Sequence, residues 1–147
     1  MVQKYYTCSL KKEEERYCGI TIKWDYVGKK VHLTMPSYSE KALKRFRHPP
    51  PIVPQDQPHQ QVKKMYDAKV QLANPLNTSP PLNKAGKKFI QEVMGVFLYL
   101  AQAVDLRMLT MLSALVTKQA AHTEMTMQKC LHFFDYAASQ EDTIVTY

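Results

Sequence analysis

The sequence predicts an α+β protein with an antiparallel hairpin or small sheet, a capped helix, a Pro-rich linker, a three-helix bundle and a terminal strand. Three observations carry this prediction. Polar and apolar residues alternate near the N-terminus, as in strands, and recur at helical spacing in the last third. Between these parts lie eight of the nine prolines, from Pro49 to Pro81. We therefore divide the 147 residues into segments 1–48, 49–82 and 83–147.

The strand patterns come first along the chain. Residues 4–8 alternate enough for a short strand, and the charged run at 11–16 is typical of an exposed turn or hairpin tip. Residues 17–24 alternate as a half-buried strand, and residues 31–35 alternate again as its return. The turn between them contains Gly28, which can adopt a positive φ at little cost. The natural interpretation is an antiparallel hairpin.

A first helix is predicted to begin at residue 38, because Ser37 and Glu40 have the spacing of a capping box. It should end before Pro49. Its apolar stripe consists of Tyr38, Ala42, Leu43 and Phe46. Beyond it, segment 49–82 shows no sustained periodicity apart from a short stretch at 63–72, which predicts a surface linker.

Three further helices follow, with Asn83, Asp105 and Thr123 as their predicted N-caps. They should end near residues 103, 118 and 138, and residues 143–147 should form a closing strand. A strand at the very end of a chain suggests that its sheet continued in a longer parent. The residues expected to face the core are Phe89, Val93, Phe97, Leu100, Leu109, Leu112, Val116, Met127, Leu131 and Phe134.

The charge is unevenly placed, which bears on the partner. The net charge is +7, with 17 basic and 8 acidic residues in 1–100 against 3 and 5 in 101–147. A basic front half favours a polyanionic partner such as nucleic acid or an anionic membrane surface. A basic surface that only keeps the protein soluble is the alternative.

Cysteine usage and hydropathy bear on the compartment. Cys8, Cys18 and Cys130 form no close-spaced pair, and the N-terminus has no apolar signal sequence. The longest apolar run, about 12 residues at 93–104, is shorter than the ~20 residues that span a bilayer. We therefore expect free thiols, no membrane span and an intracellular location, cytoplasmic or nuclear.

Several stretches resemble, in the same order, the part of copia-type LTR retrotransposon polyproteins just downstream of the reverse transcriptase active site. YCGI at 17–20 resembles that family's FLGI strand, and YSEKALKRF at 38–46 resembles its YIEKILERF helix. MGVFLYLA at 94–101 resembles its VGSLLYLA helix, and KCLHFF at 129–134 resembles its KRILRYL segment. The resemblance implies that the hairpin corresponds to the end of the palm near the primer grip. The helices would then correspond to the thumb and the connection toward ribonuclease H.

The resemblance also implies what the chain lacks. The family's catalytic carboxylates, including the Tyr-x-Asp-Asp hairpin that holds two metal ions, belong to the palm upstream, and no two aspartates are adjacent here. We therefore expect no catalytic residue, no metal ligand and no cofactor in this chain, with Mg²⁺ belonging to the missing palm. The expected partners are a nucleic-acid duplex and the missing palm and ribonuclease H portions. Asp105-Leu106-Arg107 departs from the family's Arg-Pro-Asp, so any ion pair made there must be rebuilt.

Cations at helical and hairpin spacing are the candidate binding residues. Such side chains can contact successive phosphates without sequence preference, although solvated helix faces and turns show the same pattern. Trp24 and Tyr26 could stack on bases or pack in the hairpin. The candidate nucleic-acid-binding residues are Lys23, Lys29, Lys30, Lys41, Lys44, Arg45, His48, Lys87 and Lys88.

Other kinds of site find less support. His122, Cys130 and His132 lie on one predicted helical segment, but Cys130 and His132 are two residues apart and should point away from each other, so no metal site is predicted. The competing function is a small basic interaction module whose Pro49, Pro50, Pro51 and Pro54 form a polyproline-type ligand.

Overall fold

The structure is a computed structural model that describes residues 15–60, 77–117 and 121–147. The strand predicted at 4–8, most of the charged run at 11–16 and the stretch at 63–72 lie outside these ranges. Within them the chain forms a four-stranded antiparallel sheet and four α-helices. The predicted α+β class is confirmed.

The sheet joins the two ends of the described chain. Its strands are β1 (Glu15–Tyr17), β2 (Ile20–Asp25), β3 (Lys30–Thr34) and β4 (Ile144–Thr146), in that spatial order, with every pair antiparallel. The predicted hairpin corresponds to β2 and β3, and the predicted closing strand is β4. Because β4 pairs with β3, residues near position 32 meet residues near position 146.

The strand predicted at 17–24 is wrong in one respect, because a tight turn interrupts it. Tyr17 ends β1 and pairs with Ile20, so Cys18 and Gly19 are the two central residues of a hairpin turn. Both have positive φ, 50° and 84°, as a hairpin turn that follows the twist of its strands requires. Arg16, predicted to lie in a turn, is in β1.

The turn between β2 and β3 also differs from the prediction. Its positive φ, 53°, belongs to Lys29 and not to Gly28. Gly28 lies against the Asp25 carboxylate: its N–H donates to Asp25 Oδ1 at 2.8 Å, and a Cβ at position 28 would lie 2.2 Å from Asp25 Oδ2. The Asp25 carboxylate therefore closes this turn, and a side chain at position 28 would force that carboxylate to rotate away.

Helix α1 (Tyr38–Arg45) lies where it was predicted, but the capping box is wrong. Ser37 is left-handed, with φ 57°, and its side chain makes no capping hydrogen bond. An N-cap side chain reaches the first turn from extended backbone, which Ser37 lacks. Instead the Ser37 N–H donates to Asp142 Oδ2 at 2.8 Å, and Glu40 contacts Lys44. The start of α1 is thus fixed by a tertiary contact.

The later helices are α2 (Lys84–Ala103), α3 (Leu109–Val116) and α4 (Glu124–Ser139), with a 3₁₀ turn, Leu106–Met108, directly before α3. The predicted caps at Asn83 and Thr123 stand before α2 and α4, whereas Asp105 caps the 3₁₀ turn and the N-cap of α3 is Met108, without a side-chain cap. Asn83 Oδ1 accepts a hydrogen bond from the Gly86 N–H at 2.8 Å. Asp105 accepts one from the Arg107 N–H at 3.3 Å and so caps the 3₁₀ turn. At α4 the Thr123 N–H donates to Thr126 Oγ1 at 3.3 Å.

One hydrophobic core underlies the sheet and the helices. Met35 after β3 and Leu43 of α1 are buried in the same cluster as Phe97 and Phe134. Segments 1–48 and 83–147 therefore share a core. Of the residues predicted to face inward, Val116 and Leu131 do not, being 39% and 42% exposed. The buried positions on those helices fall one residue away, at Leu115 and Cys130.

Residues 49–60 are irregular, as predicted for the linker, but they lie against the helices. The Gln55 N–H donates to Ser139 Oγ at 3.0 Å, and the Gln140 side chain donates to the Gln55 carbonyl at 3.1 Å.

None of the helices described here is long and apolar enough to cross a membrane. Cys18 is an exposed free thiol, whereas burial raises the pKa of the Cys130 thiol to about 12.

Candidate nucleic-acid interface

Helix α1 exposes the three cations that its spacing predicted. Ala42 and Leu43 are buried, so the opposite face, with Lys41, Lys44 and Arg45, lies in solvent. Lys44 Nζ is 2.6 Å from Glu40 Oε1, and this hydrogen bond lowers the pKa of the Glu40 carboxyl. The Arg45 guanidinium lies over the Phe46 ring, 5.8 Å from its centroid. The outer face of α1 is therefore a short cationic row, with Lys44 partly neutralised.

His48 does not belong to this row, which corrects the prediction. Its Nε2 lies 2.8 Å from Asp135 Oδ1, and its side chain is only 9% exposed. The ring also packs on Phe134, with a centroid distance of 5.1 Å. His48 follows the end of α1, so its side chain is directed towards α4 and leaves the helical face on which Lys41 and Lys44 lie. His48 therefore connects the end of α1 to α4 and is not part of the exposed cationic row.

The lysines at the start of α2 have different environments. Lys84 is exposed, and so is Lys88, whose Nζ is 3.8 Å from Glu92 Oε1. Lys87 is half-buried on the side of the helix that faces His122. Burial of the His122 ring, followed by the positive charge of Lys87, lowers the pKa of His122. Lys84 and Lys88 are therefore available to a ligand, and Lys87 is less so.

An aromatic contact brings these two sets of cations together. The rings of Phe46, after the last turn of α1, and Phe89, in the second turn of α2, meet edge to face with centroids 5.5 Å apart. The C-terminal end of α1 thus adjoins the N-terminal end of α2. We call the exposed cations around this contact the helix-end basic surface: Lys41, Lys44, Arg45, Arg47, Lys84 and Lys88.

Arg47 was not among the predicted binding residues. It follows the helix in a left-handed conformation, φ 54°, and is exposed. The prediction took only residues at helical spacing, and Arg47 falls between those positions. Its position in the sequence Arg-Phe-Arg-His, next to a residue of the apolar stripe, was the available signal.

The hairpin lysines lie on the sheet. Lys23 pairs with His32, and Lys30 pairs with Asp25, so Lys23 and Lys30 project from the same face. Lys29 is in the turn. Trp24 projects from the opposite face, and its ring stacks on that of Tyr26, with centroids 6.4 Å apart and planes 19° apart. Both rings are exposed, by 45% and 63%, so they are not packed in the core.

The nine predicted residues do not form one site. The sheet joins the helices at the end opposite to the Lys29 turn, where the Tyr99 hydroxyl donates to the Cys18 carbonyl. The Lys29 turn is ~17 Å along the strands from that end. Tyr99 is in turn ~15 Å from Phe89 along α2. The hairpin lysines and the helix-end basic surface are therefore two separate groups.

The candidate metal ligands are placed as follows. Nowhere in residues 15–60, 77–117 and 121–147 are three or more His, Cys, Asp or Glu side chains arranged to hold a metal ion. Cys130 is buried, and His132 Nε2 lies 3.1 Å from the Gln57 carbonyl oxygen. His122 is fully buried, and neither of its ring nitrogens has a hydrogen-bond partner.

No protein-family model, curated protein sequence or solved structure matches this chain significantly.

Proposed function

We propose that this protein binds a nucleic-acid duplex through its phosphates, as the non-catalytic template–primer-contacting part of a copia-type reverse transcriptase. The observation that carries the proposal is the Phe46–Phe89 contact, which places the ends of two short basic segments next to each other. Neither segment alone would exceed what an ordinary solvated helix displays. Together they provide six exposed cations around one contact.

The physical argument is electrostatic. Cations that approach phosphates release condensed counterions, and this supplies affinity without base recognition. Lys41 and Arg45 are one helical turn apart, close enough to contact successive phosphates of one strand. Glu40 and Glu92 partly neutralise Lys44 and Lys88, so the contacts come mainly from the other members of the helix-end basic surface.

The resemblance supports the same assignment. Helix α1 contains the YSEKALKRF segment that is similar to the family's thumb helix, which lies beside the template–primer duplex. On this proposal the Mg²⁺-binding carboxylates belong to a palm that is not in this chain, and the palm and ribonuclease H portions are its partners. The purified chain should therefore show no metal-dependent primer extension, and extension at a measurable rate would contradict the proposal.

A salt titration tests the binding. The affinity for a labelled RNA–DNA hybrid of about 20 base pairs should fall steeply as the NaCl concentration rises. In a plot of log affinity against log NaCl concentration, each phosphate contacted should add ~0.9 to the steepness of the slope. The Lys41→Gln/Arg45→Gln double variant should reduce that slope by about 2. Arg16→Gln, an exposed arginine on β1, is the matched control and should leave the slope within about 0.3 of the unmodified chain. A single Arg45→Gln variant provides the one-for-one comparison. If it changes the slope no more than Arg16→Gln does, binding depends only on the net charge of the protein, and the proposed site is wrong.

One observation favours a second candidate, the protein-interaction module. After Pro49, Pro50 and Pro51, Ile52 is fully exposed and Val53 is 64% exposed, and the segment is held in place by the contacts of Gln55. A proline-rich ligand with exposed aliphatic residues fits an aromatic-lined groove on a partner protein. Absence of binding to the hybrid even at low salt would favour this candidate over the first.

A further inference from the structure

The far end of the sheet carries a row of exposed rings on one face. Trp24 pairs with Val31, and Val31 exchanges two backbone hydrogen bonds of 2.9 Å with Tyr147. Residues that pair across strands share a face, so the Trp24 and Tyr147 rings flank Val31 about 10 Å apart. Tyr26 extends the row by stacking on Trp24. Tyr147 is 74% exposed. We call Trp24, Tyr26, Val31 and Tyr147 the aromatic row.

The aromatic row lies outside the hydrophobic core. The helices cover the other end of the sheet, where Ile20, Met35 and Val145 pack into the hydrophobic cluster. Nothing within the described residues covers Trp24 or Tyr26 in the same way, and burying such rings would be favourable. The exposure of several rings on one face is typical of a surface that binds a ligand.

The charges beside the row indicate an anionic ligand. Lys29, in the turn that leads into β3, is exposed at this end of the row, whereas the exposed Lys30 projects from the opposite face. The nearest acid in that turn, Asp25, is engaged by the Gly28 N–H at 2.8 Å. Exposed rings with a cation at one edge match a polymer that alternates flat bases with phosphates.

We infer that the aromatic row binds unpaired bases of a single-stranded nucleic acid, with Lys29 contacting its phosphates. This assignment rests on the proposed binding of nucleic acid and adds a second, separate region to it. The helix-end basic surface takes duplex phosphates, whereas the row needs bases that are free to stack. Paired bases present only their edges in the grooves, so a duplex cannot satisfy the rings.

The protein contains a single tryptophan, and this makes the test direct. Because Trp24 belongs to the row, its fluorescence reports on stacking without a label. We expect a 20-nucleotide oligo-dT to quench the emission of the full-length chain at low salt. An abasic oligomer with the same sugars and phosphates should quench little and bind roughly tenfold more weakly, because the loss of stacking leaves only phosphate contacts.

Substitutions in the aromatic row test whether oligo-dT binds there. Trp24→Thr keeps a strand-forming residue on β2, and Tyr26→Ser changes an exposed turn residue. Each should weaken oligo-dT binding by roughly tenfold, measured by anisotropy of a labelled oligomer, and should leave hybrid binding unchanged. Tyr17→Ser is the matched control, since Tyr17 is 68% exposed but lies at the other end of the sheet. Circular dichroism melts establish that each variant is folded.

The outcomes separate this inference from the proposed function. Oligo-dT that binds without quenching, or no more tightly than the abasic oligomer, overturns the inference while hybrid binding through the helix-end surface stands. Quenching by oligo-dT when the hybrid does not bind upholds the inference and overturns the duplex site. If neither polymer binds, both fail. Self-association that Trp24→Thr abolishes would assign the row to a second copy of the chain and overturn the inference.

Discussion

Asp105 and Arg107 form a two-point ion pair, with Oδ1 2.8 Å from Nε and Oδ2 2.8 Å from Nη2. The Thr143 hydroxyl completes the arrangement by donating to Asp105 Oδ2 at 2.9 Å. Asp105 is only 3% exposed, whereas half of the Arg107 side chain is in solvent. The pair therefore ties the start of the 3₁₀ turn to the residue that leads into β4.

Asp105→Asn should lower the free energy of unfolding by about 2 kcal/mol, because it removes a buried charge that holds two partners. Urea denaturation measures this. Glu141→Gln, at an exposed position nearby, is the matched control and should change stability by less than about 0.5 kcal/mol. Similar losses in the two variants would show that the ion pair contributes nothing specific.

The same pair should contribute to acid sensitivity. Burial by itself raises the pKa of Asp105, but the hydrogen bonds from Arg107 and Thr143 outweigh it, so the pKa lies below its ordinary value. The folded state then holds fewer protons than the unfolded state, whose aspartate titrates near ~3.9. Stability from this group is complete above about pH 4 and is lost as pH falls through the folded pKa. Melting temperatures between about pH 2 and 5 should fall less steeply for Asp105→Asn.

His122 should make stability fall at mildly acidic pH. Burial, and then the charge of Lys87, lowers the pKa of His122, so the folded state keeps the ring neutral while the unfolded chain takes up a proton near pH ~6.5. Stability is therefore complete above about pH 6.5 and falls below it until the folded pKa is reached. His122→Leu should flatten the dependence between about pH 5 and 7.

His122→Leu should not weaken the protein at neutral pH. It removes two buried nitrogens that have no hydrogen-bond partner, so the free energy of unfolding at pH 7 should stay the same or rise by about 1 kcal/mol. His59→Leu, at an exposed histidine, is the control and should retain the full pH dependence. A steep fall below pH ~6.5 that survives in His122→Leu would assign that dependence to another group.

Glycine substitutions at two nearby serines should have opposite effects. Ser37 is left-handed, with φ 57°, a conformation that costs an ordinary residue roughly 1 kcal/mol and glycine almost nothing. Ser37→Gly should therefore raise the free energy of unfolding by about 0.5 kcal/mol. Ser39→Gly, inside α1, should lower it by up to about 1 kcal/mol. Chemical denaturation of both variants tests the sign, and a loss in both would contradict the assigned backbone conformation.

Gly28→Ala should destabilise the hairpin through Asp25. The added methyl group would collide with Oδ2, so the carboxylate must rotate away and lose its bond to the position-28 N–H, at a cost of about 1 kcal/mol. Asp25→Ala loses the same bond, so adding Gly28→Ala to it should cost little more. A double-mutant cycle in thermal denaturation measures this coupling. Additive effects would mean that the collision is not what makes glycine necessary.

The parts of the fold that depend on residues close together in the sequence were predictable from the sequence. Asn83 and Thr123 cap α2 and α4, and Asp105 caps its 3₁₀ turn, because the capping groups lie within one turn of each other in sequence. Ser37 has the same local signal, yet its conformation is fixed by Asp142, 105 residues away. No local pattern contains that contact, and the capping-box prediction failed for this reason.

The candidate interface was predictable to the same extent. Helical spacing correctly placed Lys41, Lys44 and Arg45 on one exposed face of α1. His48 shares that spacing, but its partner Asp135 is 87 residues away, so the sequence could not show that it turns inward. The two basic segments lie next to each other because Phe46 contacts Phe89, and this contact is likewise a property of the tertiary structure.

The pairing of β3 with β4 determines when this chain can finish folding during synthesis. His32 Nδ1 and Thr146 Oγ1 lie 2.8 Å apart and are separated by 114 positions in sequence. The edge of β3 that pairs with β4 therefore stays open on the ribosome until residues 144–147 emerge from the exit tunnel. Such an edge can recruit a strand from another nascent chain, so sheet completion should be slow and sensitive to concentration.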